Sequence, residues 1–477
     1  MENIKPYTKY KPSGITWLRD IPEHWKVESF KNILTERNEK NNPIRTKEIL
    51  SLSIDKGVTL YAEKTTNLDR FKDDFTQYKL AHKDDLVFNS MNMIVGAVGV
   101  SNYFGCVSPI YYTYHGGYNQ PNSTKFYEYL FRNKIVQSFL YSLGKGLMAI
   151  DRGDGKYNTL RLKISRDDLR SLKLPFPNPF EQIAVANFLD YKTAKIDRFI
   201  RKKKQLIKLL NEQKAGMIND AITKGLEANA KMKPSGIEWS GDIPKHWEVR
   251  KLKRITIEHR QGYYDAAGYV DSGIRLARIT DITDEGFLDY SDMPLVKWTK
   301  ESDNYLIKKG DFLFARTGGA GRVALVEEDI EAVFASYLIR FRFDSSIDNK
   351  FLKYYFFSRL FLNGIANDVH GGVNQNVHAV NIKNQFIAFP SSKSEQYKIV
   401  YHIEKEAAII NTAIATIEKE IALVQEYRTA LVAEAVTGKI DVRDYKVPVL
   451  EEEDLVYEEV EEKMDMVAED GEGMKIE

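Results

Sequence analysis

The sequence predicts a mixed α/β (α+β) protein built from two copies of one domain, joined by two long helices that form an antiparallel coiled coil with pseudo-two-fold symmetry. Three observations predict this fold: a short segment occurs twice, a coiled-coil pattern follows each occurrence, and short β-like runs alternate with Gly and aromatic residues in between. A chain of 477 residues has room for two globular domains and helical connectors.

The repeated segment, called the box below, spans residues 11–27 and occurs again at 233–249. Both copies open with Lys-Pro-Ser-Gly-Ile and continue with Ile-Pro, His-Trp and Val at the same spacing. Over the slightly longer alignment of residues 9–29 with 231–251, thirteen of twenty-one positions are identical, which indicates an internal duplication.

A long helical pattern follows each domain and begins with a Glu-Gln pair, Glu181-Gln182 in the first copy and Glu395-Gln396 in the second. Apolar residues recur in alternating steps of three and four, as in a coiled-coil seam. The second seam is Ile410, Ile414, Ile417, Ile421, Val424, Arg428, Leu431 and Ala435, and the first is Ile196, Ile200, Lys203, Ile207, Leu210, Lys214, Met217 and Ala221. Because each helix alone would expose an apolar stripe, the two are expected to pack together. A two-fold relation between the copies makes them antiparallel.

The predicted organisation follows from these landmarks. It consists of a first domain with its box at 1–178, a helix at 179–228, a second domain with its box at 229–391, a second helix at 392–445 and a disordered acidic tail at 446–477.

The net charge of +1 averages two different regions. Residues 451–477 carry a net charge of about −11, which leaves about +12 on residues 1–450. A basic body suits a nucleic-acid partner. The tail is interpreted as a solubility segment or as a competitor with nucleic acid for the basic surface.

Other sequence features exclude several classes of protein. The lone Cys106 rules out an internal disulfide, and the eight His residues show no metal-ligand spacing. No stretch has the length and apolar composition of a membrane-spanning helix, and the N-terminus has no apolar signal region. We expect a cytoplasmic protein with no membrane partner.

Each predicted domain contains two polar, Gly-containing loops at matching places. One follows the β-like run Asp85–Phe88 or Asp311–Phe314, and the other precedes the long helix. Such loops can donate to phosphates and reach base edges, with Arg suited to guanine and Asn or Gln suited to adenine; tight turns are the alternative explanation. The candidate DNA-binding residues are Asn89, Asn92, Lys145, Arg152, Lys156, Arg275, Arg278, Arg316, Thr317, Arg322, Asn374 and Gln375.

Motifs for catalysis are missing. The sequence has no phosphate-binding P-loop, and nothing in it suggests a hydrolytic triad or a nuclease carboxylate cluster. Asn178-Pro179-Phe180 partly matches an adenine methyltransferase motif but lacks its second Pro, and its place before a helix favours a role in chain punctuation. We therefore infer a non-catalytic binding protein.

Taken together, the doubled box, the Pro-rich step into each Glu-Gln pair and the two terminal helices resemble the DNA-specificity subunit of type I restriction-modification enzymes. The resemblance extends to about residue 445. It implies that each domain is a target-recognition domain reading one half of a split DNA site. It also implies that the helices act as a spacer and dock two modification subunits, which methylate adenine with S-adenosylmethionine. Restriction subunits would add ATP- and Mg-dependent translocation and cleavage, so no cofactor is expected on this chain.

Two alternatives remain open from the sequence. The chain could be a self-sufficient fusion of methyltransferase and specificity protein, which the missing motifs argue against. It could also be a duplicated adaptor that binds protein or glycan, which would show no salt-dependent binding to duplex DNA.

Overall fold

The computed structural model describes residues 5–64, 74–117, 122–147, 161–237, 241–263, 268–316, 321–368 and 376–448. The chain divides into two compact units. Unit 1 holds the described residues up to 201 and those from 420 onward, and unit 2 holds residues 202–419. This border cuts both long helices, so each unit contains one domain and part of each helix. No described helix is long and apolar enough to cross a membrane.

Unit 1 is built mainly from short antiparallel strands and a few helices. Its strands are β1 (Tyr10–Ile15), β2 (Leu18–Pro22), β3 (Lys26–Ser29), β4 (Thr35–Glu36), β5 (Leu50–Ser53), β6 (Gly57–Leu60), β7 (Lys79–Ala81), β8 (Leu86–Asn89), β9 (Val98–Val100), β10 (Gly105–Val107), β11 (Tyr111–His115), β12 (Lys145–Leu147), β13 (Arg161–Lys163) and β14 (Lys173–Phe176). Its helices are α1 (Phe30–Ile33), α2 (Thr124–Arg132), α3 (Lys134–Leu143), α4 (Arg166–Ser171) and the first part of α5 (Pro179–Lys224).

Unit 2 repeats this plan. Its strands are β15 (Met232–Pro234), β16 (Asp242–Pro244), β17 (Trp247–Lys251), β18 (Thr256–Gln261), β19 (Tyr269–Ala277), β20 (Leu295–Val296), β21 (Phe312–Ala315), β22 (Val323–Leu325), β23 (Ala332–Phe334), β24 (Leu338–Phe343) and β25 (Phe386–Pro390). Its helices are α6 (Asn349–Phe356), α7 (Arg359–Asp368), α8 (Ala379–Asn384) and the first part of α9 (Lys393–Val436).

Each unit has its own four-stranded sheet, which we call the central sheet, and the two sheets are built in the same way. The strand order is β4-β11-β8-β9 in unit 1 and β18-β24-β21-β22 in unit 2. A two-stranded antiparallel pair, β3-β14 or β17-β25, joins the box to the strand before the long helix. The predicted correspondence between Asp85–Phe88 and Asp311–Phe314 is therefore confirmed, because β8 and β21 occupy the same place in their sheets.

The units differ beside this sheet. Unit 1 carries the pairs β5-β6 and β7-β10, whereas unit 2 carries a three-stranded sheet, β20-β19-β23, in which β19 and β23 are parallel. The frame is thus shared, and the additions to it are not.

The predicted seam residues lie at the less exposed positions of α5 and α9, and none of them is fully exposed. In unit 1 the Arg428 guanidinium lies 3.3 Å from the Asp197 carboxylate, so the charge that interrupts the seam is neutralised. In unit 2 the Lys214 ammonium donates to the Asn411 side chain at 2.9 Å. Within both units the helix segments run antiparallel, as predicted.

A hydrogen-bonded carboxylate fastens each box to the start of a long helix. Glu181 accepts from the Trp25 indole at 2.9 Å and the Tyr7 hydroxyl at 2.6 Å, and its Oε2 lies 3.0 Å from His24 Nε2. In unit 2, Glu395 accepts from the Trp247 indole at 2.9 Å. The corresponding imidazole, from the second box, lies 2.9 Å from Glu395 Oε2. We call this arrangement the clasp.

The glutamine beside each clasp carboxylate is fully buried and ties the helix to the domain. Gln182 accepts from the Ser123 amide at 2.9 Å and donates to the Pro177 carbonyl at 2.9 Å. Gln396 makes the same pair of bonds, accepting at 2.7 Å from the amide of Asp348 and donating at 2.8 Å to the carbonyl that precedes α9. The Glu-Gln pairs recognised in the sequence are therefore the attachment points of both helices.

The glycine that follows each long helix packs closely against a box Trp. Gly225 follows α5 with a φ of +72°, and a Cβ there would lie 3.2 Å from the Trp247 ring. Gly438 follows α9 with a φ of +75°, and a Cβ there would lie 2.4 Å from Pro22 and 3.1 Å from Trp25. Glycine is required at both positions because the backbone is left-handed and the box leaves no room for a side chain.

Equivalent positions of α2 and α6 carry opposite charges. Glu128 on α2 is 6% exposed and lies 3.2 Å from the Arg132 guanidinium. Lys353 on α6 is 2% exposed, and its ammonium lies 3.4 Å from the centre of the Phe287 ring. Burial lowers the pKa of Lys353 to about 8, although nearby carboxylates, Glu327 first among them, act in the opposite direction.

We expect Glu181→Ala to destabilise the chain more than Glu395→Ala does. The Glu181 side chain is 1% exposed and accepts from both an indole and a phenol, whereas the Glu395 side chain is 31% exposed. Each buried donor left unpaired costs about 1–3 kcal/mol. Urea unfolding followed by Trp fluorescence measures both effects. Glu212→Ala, on an exposed part of α5, is the control, and equal losses from the two clasp variants would contradict the prediction.

We also expect Lys353 to make stability rise with pH between about 8 and 10.5. In that window the ordinary lysine of the unfolded chain still binds a proton that the buried amine has lost, so raising the pH favours the folded state. The gain is on the order of 3 kcal/mol relative to Lys353→Met, which has no titrating group. Chemical unfolding of both proteins at pH 7 and pH 10 measures it. A stability difference that stays constant across this range would refute the assignment.

Candidate nucleic-acid interface

The ends of β8 and β21 carry equivalent turns that differ in their side chains. Ser90 follows β8, and its carbonyl accepts from the Ile164 amide at 3.1 Å. Arg316 follows β21, and its carbonyl accepts from the Val377 amide at 2.8 Å. The same backbone hydrogen bond therefore holds a buried serine in unit 1 and an arginine in unit 2.

Arg316 is presented by this turn with its backbone held at both ends. Its amide donates to the Tyr337 carbonyl at 2.8 Å, in addition to the bond accepted by its own carbonyl. Its side chain is half-buried, and no described residue forms an ion pair or a hydrogen bond with its guanidinium. An arginine with a fixed backbone and unused donors suits bidentate recognition of a guanine edge or a phosphate.

Two other predicted arginines of unit 2 already have partners. Arg278 donates to Asp281 at 2.7 Å and to the Asp292 carbonyl at 2.8 Å, and hydrogen bonds with Asp281 and Tyr269 raise its pKa. Arg322 donates to the Ile282 carbonyl at 2.5 Å and lies 3.3 Å from an Asp284 oxygen. Both guanidinium groups therefore brace the segment from 279 to 292.

Three further candidates differ in exposure. Asn89 is buried and accepts from the Met91 amide at 3.1 Å, which is the tight-turn role allowed for by the sequence. Asn92 is exposed on the same turn. Lys145 is exposed on β12, and its ammonium lies 3.3 Å from Asp168.

Arg275 is exposed on β19, where strand alternation sends its side chain to the face opposite Leu276. It lines a cavity of about 520 Å³ together with Trp298 and Glu331. Leu276 instead belongs to a different cavity, which Arg278 also lines. The structure therefore separates Arg275 from Arg278.

The remaining candidates, Arg152, Lys156, Thr317, Asn374 and Gln375, lie outside the described residues.

Tyrosines form a second feature of unit 2, which the sequence analysis did not anticipate. A cavity of about 460 Å³ is lined by three of them, Tyr263, Tyr269 and Tyr337, and by the polar side chains of Arg278, Thr280 and Ser336. Tyr269 and Tyr337 are 65% and 61% exposed. One sequence feature could have indicated this cavity: Tyr337 is an aromatic residue in the short turn between β23 and β24.

The structure accounts for Asn178, the residue that resembled part of a methyltransferase motif. Its side-chain oxygen accepts from the Glu181 amide at 3.0 Å, and Pro179 is the first residue of α5. Asn178 therefore caps a helix, and Pro179 occupies the position where its missing N–H has no cost. Within the described ranges, no group of three or more His, Cys, Asp or Glu residues could hold a metal ion.

Comparison with known proteins gives matches to type I restriction specificity domains and subunits. The model of the type I restriction modification DNA specificity domain matches residues 244–422. The chain is 25% identical over 330 residues to the type I restriction enzyme MjaVIII specificity subunit of Methanocaldococcus jannaschii, covering 66% of this chain and 71% of that one. It is 24% identical to the EcoBI specificity subunit of Escherichia coli, covering 65% and 66%.

A solved structure shows the same fold. The chain superposes with a TM-score of 0.63 on a chain from a structural study of the complex assembly and conformational transition of the type I R-M system. The match has 12% sequence identity and covers 87% of this chain and 98% of that chain. The relatives and the fold agree with the doubled box and the paired clasps: the chain is similar to type I restriction enzyme specificity subunits, and its residues 244–422 match the DNA specificity domain.

Proposed function

We propose that this chain is the non-catalytic DNA-recognition subunit of a type I restriction-modification complex, in which each target-recognition domain reads one half of a bipartite DNA site. The observation that carries the proposal is that the two units share the same supporting elements but carry different side chains at equivalent positions. Both units keep the clasp, the buried Gln and an equivalent four-stranded sheet. The turn after the third strand of that sheet holds the buried Ser90 in unit 1 and presents the half-buried Arg316 in unit 2.

The neighbouring turns differ in the same way. The strand pairing that aligns Tyr111 with Asn89 and Leu338 with Ala315 makes Ile110 the counterpart of Tyr337. Both side chains are exposed, one aliphatic and one aromatic with a hydroxyl. Two surfaces on one frame that offer different donors and apolar groups would select different base sequences.

Within unit 2 we propose Arg316 as the principal base-reading residue among the described candidates. Arg278 and Arg322 have donors committed to carboxylates and carbonyls, so they position the surrounding loop. Arg275 and Trp298 line a separate cavity, and we assign Arg275 at most a phosphate contact. In unit 1, Asn92 and Lys145 remain the exposed candidates. Arg152, Lys156, Thr317, Asn374 and Gln375 remain proposals from the sequence.

The first turns of α5 and α9 supply the proposed docking surfaces for modification subunits. Phe180 and Ile183 are 86% and 45% exposed in unit 1, and Tyr397 and Tyr401 are 56% and 70% exposed in unit 2. Ile183 and Tyr397 each lie two residues after a clasp carboxylate, so these two positions are equivalent. Exposed apolar residues at two matching sites suit two copies of one partner.

The chemistry would reside on the partners. Modification subunits would supply S-adenosylmethionine and methylate adenine, and restriction subunits would use ATP and Mg for translocation and cleavage. We propose the cytoplasm as the place where the complex meets DNA. The fusion and adaptor alternatives have no supporting observation of their own in the described residues.

Replacing Arg316 tests base reading directly. We expect Arg316→Ala to relax or change one half of the methylated motif and to weaken specific binding by about 1–3 kcal/mol if Arg316 reads a base. Mapping N6-methyladenine across the genome of cells that carry the variant with its partners measures this. Arg254→Ala, exposed on the same unit, is the control. An unchanged motif and affinity would remove Arg316 from the interface, and absence of sequence-specific methylation with the unaltered chain would overturn the proposed function.

Charged substitutions test the docking surfaces. We expect Phe180→Glu to reduce the number of bound modification subunits from two to one, and Phe180→Glu combined with Tyr401→Glu to reduce it to none. A buried, unpaired carboxylate would oppose each contact. Native mass spectrometry of co-purified complexes counts the subunits. Leu423→Glu, on an exposed position of α9, is the matched control. Retention of two subunits by the double variant would place docking elsewhere.

A further inference from the structure

The tyrosine-lined cavity of unit 2 is not needed for groove reading by Arg316, and its construction points to a ligand. Its volume of about 460 Å³ falls within the range of about 300–1,000 Å³ that small-molecule sites occupy. Its lining combines aromatic rings with hydroxyl and guanidinium donors at the rim. This combination suits a flat, polar-edged group and not a purely apolar one.

The walls of the cavity are held in place. Gly262 permits a backbone contact that a side chain would block, because a Cβ there would lie 2.0 Å from the Ala335 oxygen. This contact lets the Tyr263 amide donate to the Phe334 carbonyl at 2.7 Å. The Tyr263 ring then packs 5.3 Å from the ring of Tyr305. One wall of the cavity is therefore fixed by main-chain and aromatic contacts.

Arg278, which also lines the cavity, is held in place by the segment that follows it. Arg278 is fixed by Asp281, whose side chain is 7% exposed, and by the Asp292 carbonyl. Tyr269 lines the same cavity, and 65% of it is exposed.

The position of the cavity connects it with the proposed DNA surface. Tyr337 lines the cavity and also accepts, through its carbonyl, the hydrogen bond from the amide of Arg316. A DNA strand contacted by the arginine would therefore pass the rim. Tyr rings stack on any base, and hydroxyl and guanidinium groups can reach the edge of a base that has left the stack.

We propose that this cavity receives one nucleobase displaced from the duplex stack, with Tyr269 and Tyr337 contacting its ring and Arg278, Thr280 and Ser336 facing its polar edge. The proposal rests on the proposed function, since it requires DNA at Arg316. It adds an extrusion step within the recognition subunit, separate from any displacement of the adenine that a modification subunit methylates.

The test uses the assembled complex and duplexes that contain its methylated motif, with 2-aminopurine placed at each position of the half read by unit 2. The methylated adenine and its paired base are left unlabelled, because a methyltransferase extrudes its own target. We expect a fluorescence rise on binding at one position. Tyr337→Ala and Tyr269→Ala should abolish the rise, Tyr337→Phe should keep it, and Tyr141→Ala, equally exposed in unit 1, should leave it unchanged.

The outcomes separate the two proposals. Specific binding and methylation without a fluorescence rise at any position would overturn the extruded base and leave the proposed function standing. A rise that survives both Ala variants would place the displaced base outside this cavity. Failure of the unaltered complex to bind or methylate any sequence specifically would overturn the proposed function itself. If the Tyr variants still support methylation and the half-site read by unit 1 is unchanged, the variants are folded.

Discussion

The clasp is the interaction on which both units depend. A single carboxylate, Glu181 or Glu395, accepts hydrogen bonds from the indole and imidazole of a box and fixes that box to the first turn of a long helix. The neighbouring Gln anchors the same turn to the domain, and a glycine after a helix end closes over the same Trp. Removing the carboxylate would leave a buried indole N–H without an acceptor, so the box residues and the helix start are constrained as a set. This constraint explains why the two copies of the chain are most similar in sequence at the box.

Around this shared frame the two domains differ in how each one accommodates its buried charged residue. Position 128 of unit 1 holds a carboxylate paired with Arg132, whereas the equivalent position 353 of unit 2 holds an ammonium stacked on Phe287. A buried charge of either sign is tolerated because each unit supplies its own compensation, through an ion pair in one case and a π-face in the other. The additions beside the central sheet, two small strand pairs in unit 1 and a mixed sheet in unit 2, follow the same principle.

Much of the frame was predictable from the sequence, because it depends on periodicity and repetition. The seam positions from Ile410 to Ala435, the helix starts at the Glu-Gln pairs and the matching of β8 with β21 all follow from spacing alone. The candidate site was less accessible. Nothing in the sequence separates Arg316, whose guanidinium has no partner among the described residues, from Arg278, whose donors bind Asp281 and a main-chain carbonyl. That difference depends on which loops meet in space. Strand alternation did contain one usable signal, since Arg275 and Leu276 must face opposite sides of β19.

The turn that carries Ser90 or Arg316 has a consequence for how the proposed DNA-binding surface can change over evolutionary time. Its hydrogen bonds to Ile164 or Val377 run from main chain to main chain, and they form whichever side chain stands between them. In unit 2 a substitution of the half-buried Arg316 would change the side chain offered to a partner while both main-chain hydrogen bonds could still form, whereas Ser90 in unit 1 is buried. The trade-off between stability and new function, which restrains most binding sites, is therefore relaxed here.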